Sequence, residues 1–190
     1  PWAGARDWVE DANTAGLLEP TAMNLATVDA QGQPSNRTVL FKGWKDNFPT
    51  FFTNYDGRKG QELLSRPKAA LCFWWDRLDR QIRFEGEARA LSDTDNDRYF
   101  ASRSRGSQIG AWASDQSRPV NSREDMESRY AAFARRFGDV QPIPRPPHWG
   151  GFVLIPHAVE IWQGQANRFH DRITYTRDSE DHWHVQRLQP

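Results

Sequence analysis

Apolar and polar residues alternate along much of the chain, and this pattern predicts a protein built mainly from short β-strands. The clearest run is 81–91, where apolar or small residues alternate with charged and amide residues, as in a strand with one buried face. The turn-forming segment 31–34 predicts a hairpin. Further strands are predicted at 22–30, 37–44, 50–54, 68–75, 152–155, 159–162, 172–177 and 183–188.

Apolar residues at helical spacing and helix stop signals predict helices between these strands, at 2–15, 58–65 and 93–102. A fourth helix is predicted over 122–137 from one apolar stripe, formed by Met126, Tyr130, Phe133 and Phe137. Helices inserted among many short strands predict an α+β fold that is mainly antiparallel β. We expect one domain over 1–190, built on an antiparallel barrel with peripheral helices.

The composition fits this fold and excludes several classes of function. The 25 Lys and Arg residues balance 25 Asp and Glu residues, so no net field attracts nucleic acid or an anionic membrane. The longest apolar run is about seven residues, well short of the roughly 20 needed to span a bilayer. Nine Trp residues suit a core that is shared across a dimer interface.

The N-terminus and the cysteine usage bear on localisation. Residues 1–20 lack a secretory signal pattern, and the single Cys72 excludes an intrachain disulfide. Both features favour a cytoplasmic protein. Because the chain begins with Pro1 rather than Met, we expect an upstream segment to be missing.

Two clusters of cations in the first third of the chain could bind an anion. Arg37 and Lys42 flank a predicted strand, on opposite faces because five residues separate them. Segment 53–60 is a turn that brings Arg58, Lys59 and several backbone N–H groups to a helix start, which favours phosphate binding. The alternatives are solvated surface cations for the first cluster and an ordinary turn for the second.

A third cluster spaces a phenol, a guanidinium and a hydroxyl four residues apart, at Tyr99, Arg103 and Ser107. In a helix or tight turn they would share one face and suit a phosphate dianion. A solvated basic loop is the alternative.

The fourth cluster lies in the last quarter of the chain. Arg168, His170 and Arg172 share one face of an extended segment, where they repel unless an anion or an electron-rich ring lies over them. A surface strand paired with carboxylates is the alternative. His182 and His184 also share a face, but without further ligands we expect no metal site.

Several families of enzymes are excluded by their missing motifs. The sequence contains no nucleophile elbow, zinc-protease helix, redox Cys pair or dinucleotide-binding glycine motif. With a lone Cys, redox chemistry would have to come from a cofactor.

Taken in order, these clusters resemble the pyridoxine/pyridoxamine 5′-phosphate oxidase family from about residue 17 to residue 190. Each match is weak alone, but eight occur in the family's order. The matching stretches are 37–42 (RTVLFK), 52–59 (FTNYDGRK), 80–81, 99–112 (YFASRSRGSQIGAW), 116–117, 149–151 (WGG), 160–164 (EIWQG) and 167–172 (NRFHDR).

The resemblance implies an FMN-binding split β-barrel and a homodimer with FMN at the subunit interface. The implied substrate-phosphate ligands are Lys42, Tyr99, Arg103 and Ser107. The implied catalytic pair, Arg168 and His170, closes over the substrate ring. The implied FMN contacts are Arg37, Thr38, Val39, Leu40, Lys42, Phe52, Thr53, Arg58, Lys59 and Gln81, with Gln116, Ser117, Trp162 and Arg172 donated by the second subunit.

The implied reaction is the oxidation of pyridoxamine or pyridoxine 5′-phosphate to pyridoxal 5′-phosphate, with O2 as acceptor and H2O2 as product. Hydride transfer to a flavin needs two stacked rings more than a strong base, so positioning carries much of the catalysis. One alternative is a phenazine-precursor oxidase of the same fold, which would be expected to lack the phosphate ligands. Another is a non-catalytic carrier of flavin or pyridoxal phosphate.

Overall fold

The computed structural model describes residues 2–190, which form five α-helices and nine strands. The helices are α1 (Trp2–Thr14), α2 (Arg58–Ser65), α3 (Asp93–Ser102), α4 (Arg105–Ala113) and α5 (Arg123–Phe137). The strands are β1 (Ala22–Val28), β2 (Pro34–Leu40), β3 (Trp44–Lys45), β4 (Phe48–Asn54), β5 (Lys68–Trp75), β6 (Arg80–Ala90), β7 (Trp149–Gln163), β8 (Asp171–Arg177) and β9 (Trp183–Leu188).

All nine strands belong to one antiparallel sheet with the order β2-β1-β5-β6-β7-β4-β3, and β8 and β9 extend it from β7. The chain just after β2 returns to β4, where Lys42 N–H donates to the Thr50 carbonyl at 2.9 Å. The sheet therefore curls like a barrel, although the strand order over residues 2–190 stays open. The predicted α+β fold with mainly antiparallel strands is confirmed.

The main core fills the inside of the curled sheet and is largely aromatic. Phe51, Phe73 and Phe84 are fully buried there, together with Leu25 and Leu71. Each such side chain contributes roughly 1.5–3 kcal/mol of transfer free energy. Helix α1 covers part of this core through its small and apolar face, Ala5, Val9 and Ala12.

A second, smaller core holds the helices α3, α4 and α5 against the start of β7. Phe100, Ile109, Phe137 and Ile143 pack there around Trp149. The same residues fix the position of the α3–α4 junction, which forms one wall of the cavity described below.

Strand β7 differs most from the sequence expectation, since it is one strand where the pattern predicted two, at 152–155 and 159–162. A bulge explains the broken pattern: Gly86 pairs with Pro156 and Glu85 with Ala158, so His157 is an extra residue in β7. A Cβ on Gly86 would lie 2.1 Å from the Ile155 carbonyl oxygen, so the close approach there requires glycine.

Three further predictions were wrong in part. Strand β2 begins at Pro34 and ends at Leu40, because the turn is shorter and the chain after Leu40 turns toward β4. Helix α4 was not predicted as a separate helix. In α5 the predicted stripe is buried only at its C-terminal end, since Met126 and Tyr130 are 52% and 39% exposed.

Candidate functional site

An open cavity of about 670 Å³ lies between β4, the end of β2, the α3–α4 junction and Trp149. It collects most of the side chains of the second and third sequence clusters. The lining residues are Thr38, Val39, Leu40, Lys42, Phe52, Thr53, Asn54, Lys59, Tyr99, Arg103, Ser104, Ser107, Gly110, Ala111, Ser114, Gln116 and Trp149.

Three stacked aromatic rings form the apolar wall of the cavity. The rings of Phe52 and Tyr99 lie 3.9 Å apart at 13°, and those of Phe52 and Trp149 lie 5.3 Å apart at 11°. The Arg103 guanidinium lies over the Trp149 ring at 4.7 Å from its centroid, which is cation–π geometry. The aromatic wall therefore fixes the position of a cation inside the cavity.

Arg103 has a donor that the protein leaves unused. Its Nη1 is buried without a hydrogen-bond partner, and no other buried side-chain nitrogen or oxygen in residues 2–190 shares this property. Burial lowers the pKa of Arg103, yet an arginine remains charged at ordinary pH. Because an unpaired buried donor is costly, the Arg103 guanidinium would gain from an anionic ligand in the cavity that it lines.

Tyr99, Arg103 and Ser107 converge on this cavity as predicted, but one helix does not carry all three. Helix α3 ends at Ser102, Arg103 is extended, and α4 begins at Arg105 with Ser104 capping it. Burial raises the pKa of Tyr99, so its phenol is a neutral donor. The break between the two helices turns Arg103 inward.

Lys59 anchors the opposite side of the cavity. Its Nζ donates to Thr53 Oγ1 at 3.1 Å and to Gln116 Oε1 at 2.8 Å. Burial, and then the nearby Arg37 charge, lower the pKa of Lys59. The resemblance assigned Gln116 to the second subunit, whereas here it bonds to Thr53 and Lys59 of its own chain. The neighbouring Ser117 is exposed, with φ of 68°.

Arg37 and Arg58 are not lining residues themselves, but they adjoin the lining residues Thr38 and Lys59. Both pair with Glu62, Arg37 Nη2 at 3.2 Å and Arg58 Nε at 2.8 Å. Glu62 is only 5% exposed. Burial would raise the pKa of this carboxyl, but hydrogen bonds from Thr27, Arg58 and Ser35 hold it at about 2.

The remaining predicted residues form a second group on another part of the sheet. Gln81, Trp162 and Arg172 are direct neighbours on β6, β7 and β8, and so share one face. The His170 ring lies 4.6 Å from the Trp162 ring. Arg172 pairs with Glu160 at 3.0 Å. Gln81, which the resemblance grouped with the cavity residues, belongs to this group instead.

His170 and Arg168 lie in the loop before β8. The Gln165 backbone N–H donates to His170 Nδ1 at 3.1 Å, so a neutral His170 carries its proton on Nε2. Arg168 is exposed with φ of 61°. Neither residue lines the cavity.

The two groups lie toward opposite ends of β7 in one chain. Trp149 lines the cavity at the first residue of β7, and Trp162 lies near the end of the same strand. None of the second group's residues lines the cavity.

Sequence reasoning missed Trp149, which lines the cavity, and Glu62, which pairs with two arginines next to it. Trp149 had a signal, since it begins the WGG stretch, but no role was assigned to it. Glu62 had a weaker signal: it follows Arg58 by four residues in α2, the spacing of a helical ion pair.

Residues 2–190 contain no helix long and apolar enough to cross a membrane. Within the same range no three His, Cys, Asp or Glu side chains group in a way that could hold a metal ion.

The chain has relatives of similar length. It is 51% identical to the pyridoxine/pyridoxamine 5′-phosphate oxidase of Acaryochloris marina, over 97% of this chain and 84% of the relative. It is 50% identical to that of Cupriavidus necator, over 100% of this chain and 89% of the relative.

Two solved structures resemble this one. PhzG from Burkholderia lata, in complex with tetrahydrophenazine-1-carboxylic acid, superposes with a TM-score of 0.92 at 32% identity, over 99% of this chain and 91% of PhzG. A pyridoxamine 5′-phosphate oxidase-related, FMN-binding protein from Nostoc punctiforme superposes with a TM-score of 0.81 at 21% identity, over 100% and 98% of the two chains. The split-barrel fold implied by the sequence is thereby confirmed.

Two family models match the chain in succession. Residues 9–143 match the model for pyridoxamine 5′-phosphate oxidase. Residues 149–190 match the model for the C-terminal dimerisation region of pyridoxine 5′-phosphate oxidase. With both models matched in order and half of all positions identical to named relatives, the chain belongs to the pyridoxamine 5′-phosphate oxidase family.

Proposed function

We propose that this protein is an FMN-dependent oxidase that makes pyridoxal 5′-phosphate. Pyridoxine 5′-phosphate and O2 give the aldehyde and H2O2, while pyridoxamine 5′-phosphate also consumes water and releases ammonia. The observation that carries the proposal is Arg103, which lines the cavity and has a buried Nη1 without a hydrogen-bond partner. Relatives of the chain are named pyridoxine/pyridoxamine 5′-phosphate oxidases.

The substrate phosphate fits the cavity end that holds Arg103. Lys42, Tyr99 and Ser107 line the same cavity and add an ammonium and two hydroxyl donors. These four residues together supply enough charge-assisted hydrogen bonds to bind one phosphate dianion. We infer that they hold the phosphate while the aromatic wall limits access of water.

FMN fits the other side, where Lys59, Thr53 and Gln116 line the cavity and the Arg37–Arg58–Glu62 group stands behind them. Arg37, Arg58 and Lys59 bring three positive charges to this side against the single carboxylate of Glu62, and this net positive charge suits a flavin phosphate. When bound, FMN supplies the acceptor for the hydride that leaves the C4′ carbon of the substrate.

The second group completes the site in a homodimer. Trp74 on the same face of the sheet is 50% exposed, and Trp162 and Arg172 lie within the region that matches a dimerisation model. We infer that Trp162 and Arg172 of one chain cover the FMN of the other. Arg168 then lies over the substrate ring, and His170 presents its Nε2–H to the C4′ substituent.

The alternative with a specific observation behind it is a phenazine-precursor oxidase, because PhzG superposes closely and its ligand is a carboxylic acid. A carboxylate would also pair with Arg103. A phosphate dianion uses the donors of Lys42, Tyr99 and Ser107 more fully than a carboxylate does, and this favours the B6 substrate.

Turnover tests the proposal. Purified protein with FMN and O2 should convert pyridoxamine 5′-phosphate with equimolar H2O2, and should leave unphosphorylated pyridoxamine nearly untouched. Turnover of a tetrahydrophenazine acid instead would establish the phenazine alternative. Bound FMN with no turnover of either compound would leave a flavin carrier.

A further inference from the structure

We propose that Glu62 is a positioning residue that holds Arg37 and Arg58 beside the cofactor phosphate, and so makes the site selective for FMN over riboflavin. The proposal rests on the proposed function, since it assumes that this side of the cavity binds the flavin. Glu62 itself does not line the cavity and would not touch the flavin.

The Glu62 carboxylate is held from several directions. Its Oε2 accepts from Thr27 Oγ1 and, at 2.9 Å, from Ser35 Oγ, while Oε1 accepts from Arg58 Nε at 2.8 Å. Thr27 is fully buried. A carboxylate fixed by donors from β1, β2 and α2 cannot swing out, so it imposes its own position on the arginines.

The donors that Glu62 occupies leave the outer side of Arg58 free. Glu62 takes the Nε–H, and none of the Nη donors of Arg58 has a hydrogen-bond partner within residues 2–190. A guanidinium held at Nε presents its two terminal nitrogens as a fork, the geometry that suits two phosphate oxygens.

Arg37 differs from Arg58 because the protein occupies the donors on both of its terminal nitrogens. Its Nη1 donates to the Leu25 carbonyl and to Thr27, and its Nη2 donates to Ser35 and Glu62. These bonds lock the guanidinium, so Arg37 acts through its fixed charge with at most its Nε–H left for a ligand.

The charges of this group are unbalanced in the direction that a phosphate requires. Arg37, Arg58 and Lys59 carry three positive charges, and Arg37 is close enough to lower the pKa of Lys59. Glu62 supplies one negative charge. The remaining excess matches a phosphate dianion, whereas riboflavin brings no charge to it.

The test compares two flavins on one variant. In Glu62→Gln we expect the Kd for FMN to rise about tenfold, because Arg37 and Arg58 donate to different carboxylate oxygens and the amide keeps only one of them as an acceptor. The Kd for riboflavin should stay unchanged. Fluorescence quenching measures both. Glu127→Gln is the matched control, because Glu127 also pairs with an arginine four residues away but is fully outside this group.

Two results would overturn the proposal. One is unchanged or tighter FMN binding in Glu62→Gln, since loss of a negative charge alone would attract phosphate more strongly. The other is an equal loss for FMN and riboflavin, which means general damage. If Glu62→Gln does not fold, Glu62→Asp keeps the charge but shortens its reach, and the same selective loss of FMN is required. A wild-type protein that binds both flavins equally would instead refute the phosphate site of the proposed function.

Discussion

The cavity and the C-terminal group carry comparable chemistry but are constructed differently. In the cavity, Arg103 is half-buried against Trp149, and Lys59 donates hydrogen bonds to two neighbours. In the C-terminal group, Arg168 is exposed with a positive φ and the adjacent Phe169 is 76% exposed. A half-buried cation with a free donor is already in place for a ligand, whereas an exposed loop acquires its final environment from the surface that packs over it. The comparison fits the proposed function, in which one chain offers a binding half, the cavity, and a covering half, the C-terminal group, for different sites.

The largest expected effect comes from removing the Arg103 guanidinium from the cavity, the binding half. Arg103→Ala should lower kcat/KM for pyridoxamine 5′-phosphate by roughly 30–1,000-fold, corresponding to about 2–4 kcal/mol for a buried charge pair. The loss should appear mainly in KM, with FMN affinity unchanged. Steady-state kinetics and flavin titration measure the two effects. Arg98→Ala, an exposed change on α3, is the control. An unchanged KM would move the phosphate site elsewhere.

Low pH should remove the stability that the Glu62 carboxylate contributes next to the cavity. The pKa of Glu62 is lowered from 4.5 to about 2 in the folded protein, so its charged form stabilises the fold above pH 4.5. That stability is lost as the pH falls from 4.5 toward 2, by on the order of 2–3 kcal/mol. In urea unfolding, wild type should therefore have a higher free energy of unfolding than Glu62→Gln at pH 7, and this difference should shrink as the pH falls below 4.5. A gap that is independent of pH would contradict the ionised carboxylate.

Mixing two inactive variants tests whether the halves come from different chains. At substrate concentrations well below the KM of the variants, Arg103→Ala and Arg168→Ala should each be nearly inactive. In randomly mixed dimers, half are hybrids with one intact site, so about a quarter of wild-type activity should return. If both residues served a site within one chain, every site would stay defective and no activity would return on mixing.

The smallest expected effect concerns the covering half and the flavin. Arg172→Leu should weaken FMN binding by roughly fivefold, about 1 kcal/mol, since it removes one charged contact at a solvent-accessible edge. The control is Arg177→Leu on the same strand, whose partner Asp181 lies in the β8–β9 turn. Normal flavin content in Arg172→Leu would show that this part of the C-terminal group does not reach FMN.

Local pattern was sufficient for much of the fold. Strand β5 and helices α2 and α3 have the predicted bounds, since apolar alternation and capping residues act over a few positions. The pattern failed at Pro156, where a bulge carries the strand onward, and at α4, whose start depends on Ser104 capping a second helix directly after the first. Both events depend on neighbouring segments, which a local window does not contain.

For the site, the residue types were predictable and their grouping was not. Tyr99, Arg103 and Ser107 meet in one cavity although a helix break separates them. Gln81 and Gln116 each lie with the group opposite to the one expected. Their placement is set by strand register and by the packing of α4, neither of which is encoded within the motifs themselves.

The extra residue in β7 has a consequence for the phase of the whole strand. Because side chains alternate from face to face, His157 reverses the orientation of every residue that follows it relative to β6. With the bulge, Trp162 stands opposite Gln81; without it, Ile161 would take that place and Trp162 would point toward the core. His157 therefore acts as a one-residue offset that lets a single continuous strand keep Trp149 in the cavity at one end and present Trp162 on the outer face at the other.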